Sequence, residues 1–148
     1  MKDAAGRTAL RIHSQIPRAR VSRARLLKCA QMALRHFRRP VSHVDFILVS
    51  ARKMASLHRQ FLGLPGPTDV MAFDLSENGE PLEGEVYICL EQAKRQAAFY
   101  GESLASEMAR LAIHGVLHLA GEKDRTEAER KRMRALEEKI LHEAGRDK

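Results

Sequence analysis

Residues 111–126, LAIHGVLHLAGEKDRT, constrain the fold more than any other stretch of the chain. Leu111, Ile113, Val116, Leu117 and Leu119 spread apolar side chains around every face of a helix, so that helix has no solvent side and belongs in the interior. His114 and His118 interrupt the run four residues apart and therefore share one face, about a turn from each other. Gly121 is a helix stop, and Asp124 arrives after the turn. Two imidazoles and a carboxylate can converge there, which is the donor set of a three-ligand metal site with one position left for water. Paired histidines at this spacing also occur as one core and one surface residue; the Gly turn, the Asp beyond it and the apolar setting favour the metal. In the H-E-x-x-H zinc peptidases the Glu is the general base. Here that position is Gly115, which argues against peptide hydrolysis through such a base.

The remaining elements surround this helix. Residues 9–13 alternate apolar and polar side chains as a short strand does. Ser22 can cap a helix whose inward stripe is Leu26, Ala30, Ala33 and Phe37, closed by Arg39-Pro40. Residues 44–49 read as a strand. Ser50 caps a second helix with Met54, Leu57 and Phe61 inward and Gly63 at its end. Pro65-Gly66-Pro67 is a turn, residues 70–75 a strand, and Asn78-Gly79 a reversal. Residues 86–90 form another strand, 91–100 a helix stopped by Gly101, and about 103–120 the histidine helix. Thr126 and Glu129 make a capping box for a last helix with Met133, Leu136, Ile140 and Leu141 inward. Strands and helices interleave, which predicts a mixed α/β layer with about four strands.

At 148 residues, with 44% hydrophobic composition and no linker or repeat, the chain is long enough for one core and reads as a single domain over 1–148, with residues 1–7 expected to be disordered. Cys29 and Cys89 lack CxxC spacing and read as reduced, buried thiols, which points to the cytoplasm. No apolar run reaches the roughly 20 residues of a membrane span, and the N-terminus lacks a secretory core, so no membrane partner is expected. The charge is lopsided. Residues 1–43 carry eleven Lys and Arg against Asp3 alone, while the remainder is slightly acidic within a net +7. A cluster of that kind suits a polyanion through counterion release. Arg18, Arg20, Arg23 and Arg25 are its candidate RNA contacts; a merely solvated basic face is the alternative.

HGVLHLAG at 114–121, PTDVMAFDL at 67–75 and GEVYICLEQAKRQA at 84–97 together resemble the YbeY family, bacterial rRNA maturation factors that are metal-dependent endoribonucleases. The resemblance runs over about residues 44–141. It implies an α+β fold with a mixed sheet packed with helices, a zincin-like catalytic core and a buried central metal-binding helix. It implies one divalent metal, Zn2+ by preference, on His114, His118 and Asp124, and cleavage of single-stranded RNA in rRNA maturation. The substrate step expected is 16S rRNA 3′ end processing with ribosome quality control, and the partners are ribosomal RNA and the small ribosomal subunit. Oligomeric state is left open.

Two positions depart from the family pattern. Many members carry a third histidine where this chain has Asp124, which keeps the ligand count but adds negative charge and widens the choice of metal. The family often has an Arg where this chain has Leu62; Arg59, one turn earlier, is the candidate replacement, with Lys123 and Arg125 flanking the metal loop. The family's Asn near this point appears as His58. Thr68 and Asp69 resemble the family's PTD element, placed either to orient substrate or to support a ligand histidine, or serving only the turn. These departures keep two other readings open: an RNA-binding assembly factor with weak or lost cleavage, and a hydrolase of a non-nucleic substrate.

Overall fold

A computed structural model describes residues 9–145; the disorder expected for residues 1–7 lies outside them. The elements in order are β1 (Ala9–Ser14), α1 (Arg23–Ala33) running into a 3-10 turn (Leu34–His36), β2 (Val41–Val49), α2 (Ala51–Leu62), β3 (Val70–Asp74), β4 (Leu82–Cys89), α3 (Leu90–Tyr100), α4 (Leu104–Leu119) and α5 (Glu127–Glu143). This is an α+β fold. Its mixed sheet has the order β1-β2-β4-β3, with the first three strands parallel and β3 antiparallel at the edge. The one antiparallel strand, β3, is joined to β4 through the Asn78-Gly79 reversal, where Gly79 takes a positive φ of 83°.

Alternation along β2 assigns the two faces of the sheet. Val44, Phe46 and Leu48 join Val86 and Ile88 against the helical layer of α1, α4 and α5. Ile47 and Val49 turn the other way and meet Met54 and Leu57 of α2 with Met71 and Cys89. Period-2 alternation thus serves two cores at once. Helix α4 is the centre of the larger one: Met108, Ala109, Leu111, Ala112, Ile113, Val116 and Leu117 are all fully buried. Each large apolar side chain buried in this way contributes about 1.5–3 kcal/mol relative to exposure.

Caps follow the sequence closely. Ser50, Ser103 and Thr126 accept from the backbone N–H groups of Lys53, Ser106 and Glu129, and the Thr126–Glu129 capping box is complete. Ser22 precedes α1 without a side-chain cap bond. Other departures have physical causes. Both β2 and β4 start earlier than their β-branched runs because Val41 pairs with Leu82 across the sheet, so pairing carries Glu83, Gly84 and Glu85 into the strand. Phe61 is not inward: it is 54% exposed, with its ring edge-on to Phe73 of β3 at 5.0 Å, and among the described residues no strand lies beyond β3 in the sheet. Phe37 lies past the 3-10 turn and packs against the core only partly buried.

Gly115 decides how closely α4 approaches the sheet. A Cβ there would lie 2.4 Å from Cγ1 and 3.0 Å from Cγ2 of Val86, a fully buried side chain that is stiff because it is β-branched. The close approach that glycine allows at this point is to strand β4. We expect Gly115→Ala to lower stability by about 1–3 kcal/mol through overpacking. In a Val86→Ala background the same change should cost far less, since the two positions share one contact. Urea unfolding of the four proteins measures this, and equal costs in both backgrounds would remove the Val86 contact as the cause.

Candidate metal centre and its cleft

His114 and His118 leave α4 in its last two turns, and their rings stand edge-on with centroids 4.6 Å apart. The helix stops at Ala120 and the chain reverses through Gly121, whose φ is 102°, with the Glu122 N–H bonded back to the Leu117 carbonyl at 2.9 Å. This left-handed stop folds the following loop over the helix end. Asp124 Oδ2 then lies 3.3 Å from His114 Nε2 and 3.2 Å from His118 Nε2. One ligand atom from each residue falls within 4.8 Å of the others. Two imidazole nitrogens and one carboxylate oxygen so gathered fit a divalent cation with positions to spare.

The far side of His114 is held by residues that the motif does not contain. Its Nδ1 lies 2.5 Å from Oε2 of Glu137, a carboxylate only 2% exposed on α5. The other Glu137 oxygen accepts from Arg110 Nη1 at 2.9 Å, and Arg110 in turn donates twice to buried Glu107 at 2.9 and 2.6 Å. The hydrogen bond from Arg110 to Glu107 heads the influences that raise the guanidinium's pKa further, so it stays charged. For His114, burial opposes the imidazolium, but the hydrogen bond and charge of Glu137, aided by Asp69 and Asp124, outweigh it and raise the pKa. A carboxylate on Nδ1 places the proton there and turns the Nε2 lone pair toward Asp124 and His118.

The centre opens on a cleft of about 710 Å3. One wall is the edge strand, residues 70–74, with Thr68, His58 and Leu62; the opposite wall is His118, Leu119 and the loop 121–125. The sequence candidates divide accordingly. Lys123 and Arg125 line the cleft, whereas Arg59 is exposed and is not among the lining residues; Leu62 holds that place on α2. Thr68 lines it. Asp69 accepts from Gln96 Nε2 at 3.3 Å and from Thr68 Oγ1 at 3.5 Å, near enough to His114 for its charge to be felt.

The N-terminal arginines lie elsewhere. Arg25 donates from Nη1 to the carbonyl of Gly145, just past the end of α5. Since α5 starts immediately after the metal loop and has 17 residues, that point is about 25 Å away at 1.5 Å per residue. Arg25 therefore ties α1 to the far end of α5, while Arg18, Arg20 and Arg23 are exposed. Arg39 bonds to Asp74 and Ser76 and braces the β3–β4 loop. Cys29 and Cys89 are free and buried, and burial heads the causes that push both thiols up. No helix among the described residues is long and apolar enough to cross a membrane.

A family model described as Endoribonuclease YbeY matches residues 11–145. The protein of that name from Mycobacterium tuberculosis is 38% identical over 135 residues, covering 83% of this chain and 76% of the relative. The Mycolicibacterium smegmatis protein of the same name is 39% identical over 115 residues, 70% of this chain and 65% of the relative. Among solved structures, a solution structure from Thermotoga maritima superposes with a TM-score of 0.62 at 28% identity, over 91% of this chain and 88% of that one.

The Glu137 contact can be tested directly. A proton and a metal compete for His114, and a raised pKa means that the proton starts to win at a higher pH than it would on a free imidazole. Metal affinity should therefore fall as pH is lowered through that raised pKa. We expect Glu137→Gln to lower the plateau affinity by about 10–100-fold and to move the falling limb to lower pH, because the anion that favours the imidazolium is gone. Calorimetric metal titration across pH checks both, and an unmoved limb would separate Glu137 from His114.

Proposed function

The chain belongs to the YbeY family of endoribonucleases, and from that premise we propose that it hydrolyses single-stranded RNA at a divalent metal held by His114, His118 and Asp124. The observation that carries the reading is the gathering of those three donors at the wall of an open cleft, with His114 fixed from behind by Glu137. Zn2+ suits two imidazoles and a carboxylate with an open position, although a carboxylate in the set also suits other divalent ions. When bound, the ion supplies Lewis acidity toward a phosphoryl oxygen and an acidified water.

The protein's own residues supply the rest. Leu62, Val70, Ala72, Phe73 and Leu119 give the cleft an apolar surface, and Lys123 and Arg125 give it cations. A single strand offers both partners for such walls, since its bases are free to leave the stack while its phosphates meet the positive charge. Gly115 lies against β4, so the position of a peptidase's glutamate offers no base here. A helix with paired histidines beside an edge strand that borders the cleft is the zincin-like feature of this reading. The process is rRNA maturation in the cytoplasm, at the 3′ end of 16S rRNA and in ribosome quality control, with the small ribosomal subunit as partner.

Labelled single- and double-stranded oligoribonucleotides test the reading with metal-loaded protein. The parent is expected to hold about one divalent ion per chain, as a three-ligand site does, and to cut only the single strand. His118→Ala should lose ion and cleavage together while staying folded. A folded, metal-loaded parent that binds RNA without cutting it would instead support the assembly-factor reading, which the apolar Leu62 in the cleft favours.

Leu62 offers a further test. It lines the cleft and is 57% exposed, so an Arg there is accommodated without burial. Loss of one donor to developing charge costs about 10²–10³ in rate, so Leu62→Arg should raise kcat by tenfold or more, with metal content unchanged. Arg59→Ala should lower cleavage in the parent and much less in the Leu62→Arg protein if Arg59 stands in for that cation. Equal effects in both backgrounds return Arg59 to the solvated surface and leave Lys123 and Arg125 as the cations in question.

A further inference from the structure

The metal reading accounts for the water and for charge on the phosphoryl group, but not for the proton that the departing oxygen needs. We infer that His58 is the general acid of this site, a role that rests on the endoribonuclease reading above.

His58 lines the same cleft as His118, Thr68 and Asp124. Its Nδ1 lies 2.9 Å from the carbonyl oxygen of Gly66. A carbonyl only accepts, so the hydrogen of that bond belongs to Nδ1. The tautomer is thereby fixed, and Nε2 is the nitrogen left to carry or release a second proton. The partner carbonyl is itself held in place. Gly63 ends α2 in the left-handed conformation at φ 67°, with its N–H on Arg59 O at 3.0 Å, and Leu64 N–H returns to His58 O at 3.4 Å. Gly66, at φ 77° between Pro65 and Pro67, then brings its carbonyl back over the helix end. The two prolines restrict this turn and the two glycines take the positive φ that it needs, and a ring held by a hydrogen bond to it is positioned as a proton donor must be.

The charged groups that share the cleft with His58 leave this role to it. On β3, Asp74 is engaged by Arg39 and Ser76. Glu122 is engaged by Arg132. His118 and Asp124 are spoken for as ligands. Lys123 and Arg125 remain, and they are the cations placed to meet phosphate charge. Arg59, next on the helix, does not line the cleft. In the step itself the oxygen of water bonds to phosphorus and one bridging P–O bond breaks. The bonding pair leaves with the ribose oxygen, which takes the proton from His58 Nε2 and departs as an alcohol. The ring keeps its Nδ1–H on Gly66, and a proton from the consumed water, through solvent, restores Nε2.

The test uses metal-loaded protein and a single-stranded oligoribonucleotide whose cleaved linkage has been mapped, with each bridging oxygen at that linkage replaced by sulfur in turn. A thiolate leaves without a proton. His58→Gln and His58→Asn both retain a hydrogen-bonding side chain but cannot deliver a proton. We expect either variant to keep its metal and its KM, to lose about 10²–10⁴ in kcat on the oxygen substrate, and to lose little on one of the two sulfur substrates. Equal losses on all three substrates would make His58 a positioning residue and overturn the inference, and loss of metal would make it a ligand and overturn it equally. A metal-loaded parent that cleaves no single-stranded oligoribonucleotide, so that no linkage can be mapped, overturns the endoribonuclease reading and this inference with it; an active parent with unaffected variants overturns this inference alone.

Discussion

Glu137 is a carboxylate withdrawn from water in the middle of a helix, and it is tolerable there because Arg110 and His114 both donate to it. Withdrawing a lone charge from water costs several kcal/mol, and removing one partner of a buried pair typically costs about 3–5 kcal/mol. The contact therefore does two things at once. It welds α5 to α4 through the centre of the larger core, and it fixes the orientation of a histidine that faces a cleft. Glu107 closes the chain of charges by accepting from Nε and Nη2 of Arg110. The capping box at Thr126 then starts α5 close enough to the metal loop that Asp124 and Glu137 reach opposite nitrogens of the same ring.

What the sequence made legible was periodic or terminal. The all-apolar run of α4, the histidines four apart and the Gly121 stop followed from local spacing, and so did the capping box. Long-range pairing was not legible: nothing within residues 82–85 reads as a strand until Val41 is placed beside Leu82. Phe61 failed for a related reason, since periodicity marks a face but not whether a strand lies beneath it. Glu137 was missed because a glutamate on a helix rich in Glu, Lys and Arg reads as solvated. The signal was present nonetheless: Met133, Glu137, Ile140 and Ala144 form one buried stripe, and a carboxylate on such a stripe needs a partner.

Charge shows a similar gap between composition and placement. Eleven basic residues in the first 43 favour a polyanionic partner, and among those that the structure describes several are engaged within the chain. Arg25 is turned to a carbonyl at the distant end of α5, Arg11 pairs with Asp45 at 2.7 Å, and Arg39 is tied to Asp74. The cations that border the cleft, Lys123 and Arg125, come instead from the loop that carries Asp124. A count of charges therefore favoured a polyanionic partner without locating where that partner would lie. The departure at Leu62 matters for the same reason. It removes a cation from the part of the cleft wall that α2 supplies, where His58 and Leu62 are the lining residues.

The central claim is that cleavage depends on one ion at His114, His118 and Asp124. Its most direct test is to strip the protein of metal, add back a divalent ion in sub-stoichiometric steps, and follow bound metal and RNA cleavage on the same samples. Cleavage should rise in proportion to occupancy and stop rising near one equivalent per chain, as a single three-ligand site requires. Full cleavage by the stripped protein, or cleavage that bears no relation to occupancy, would contradict the account.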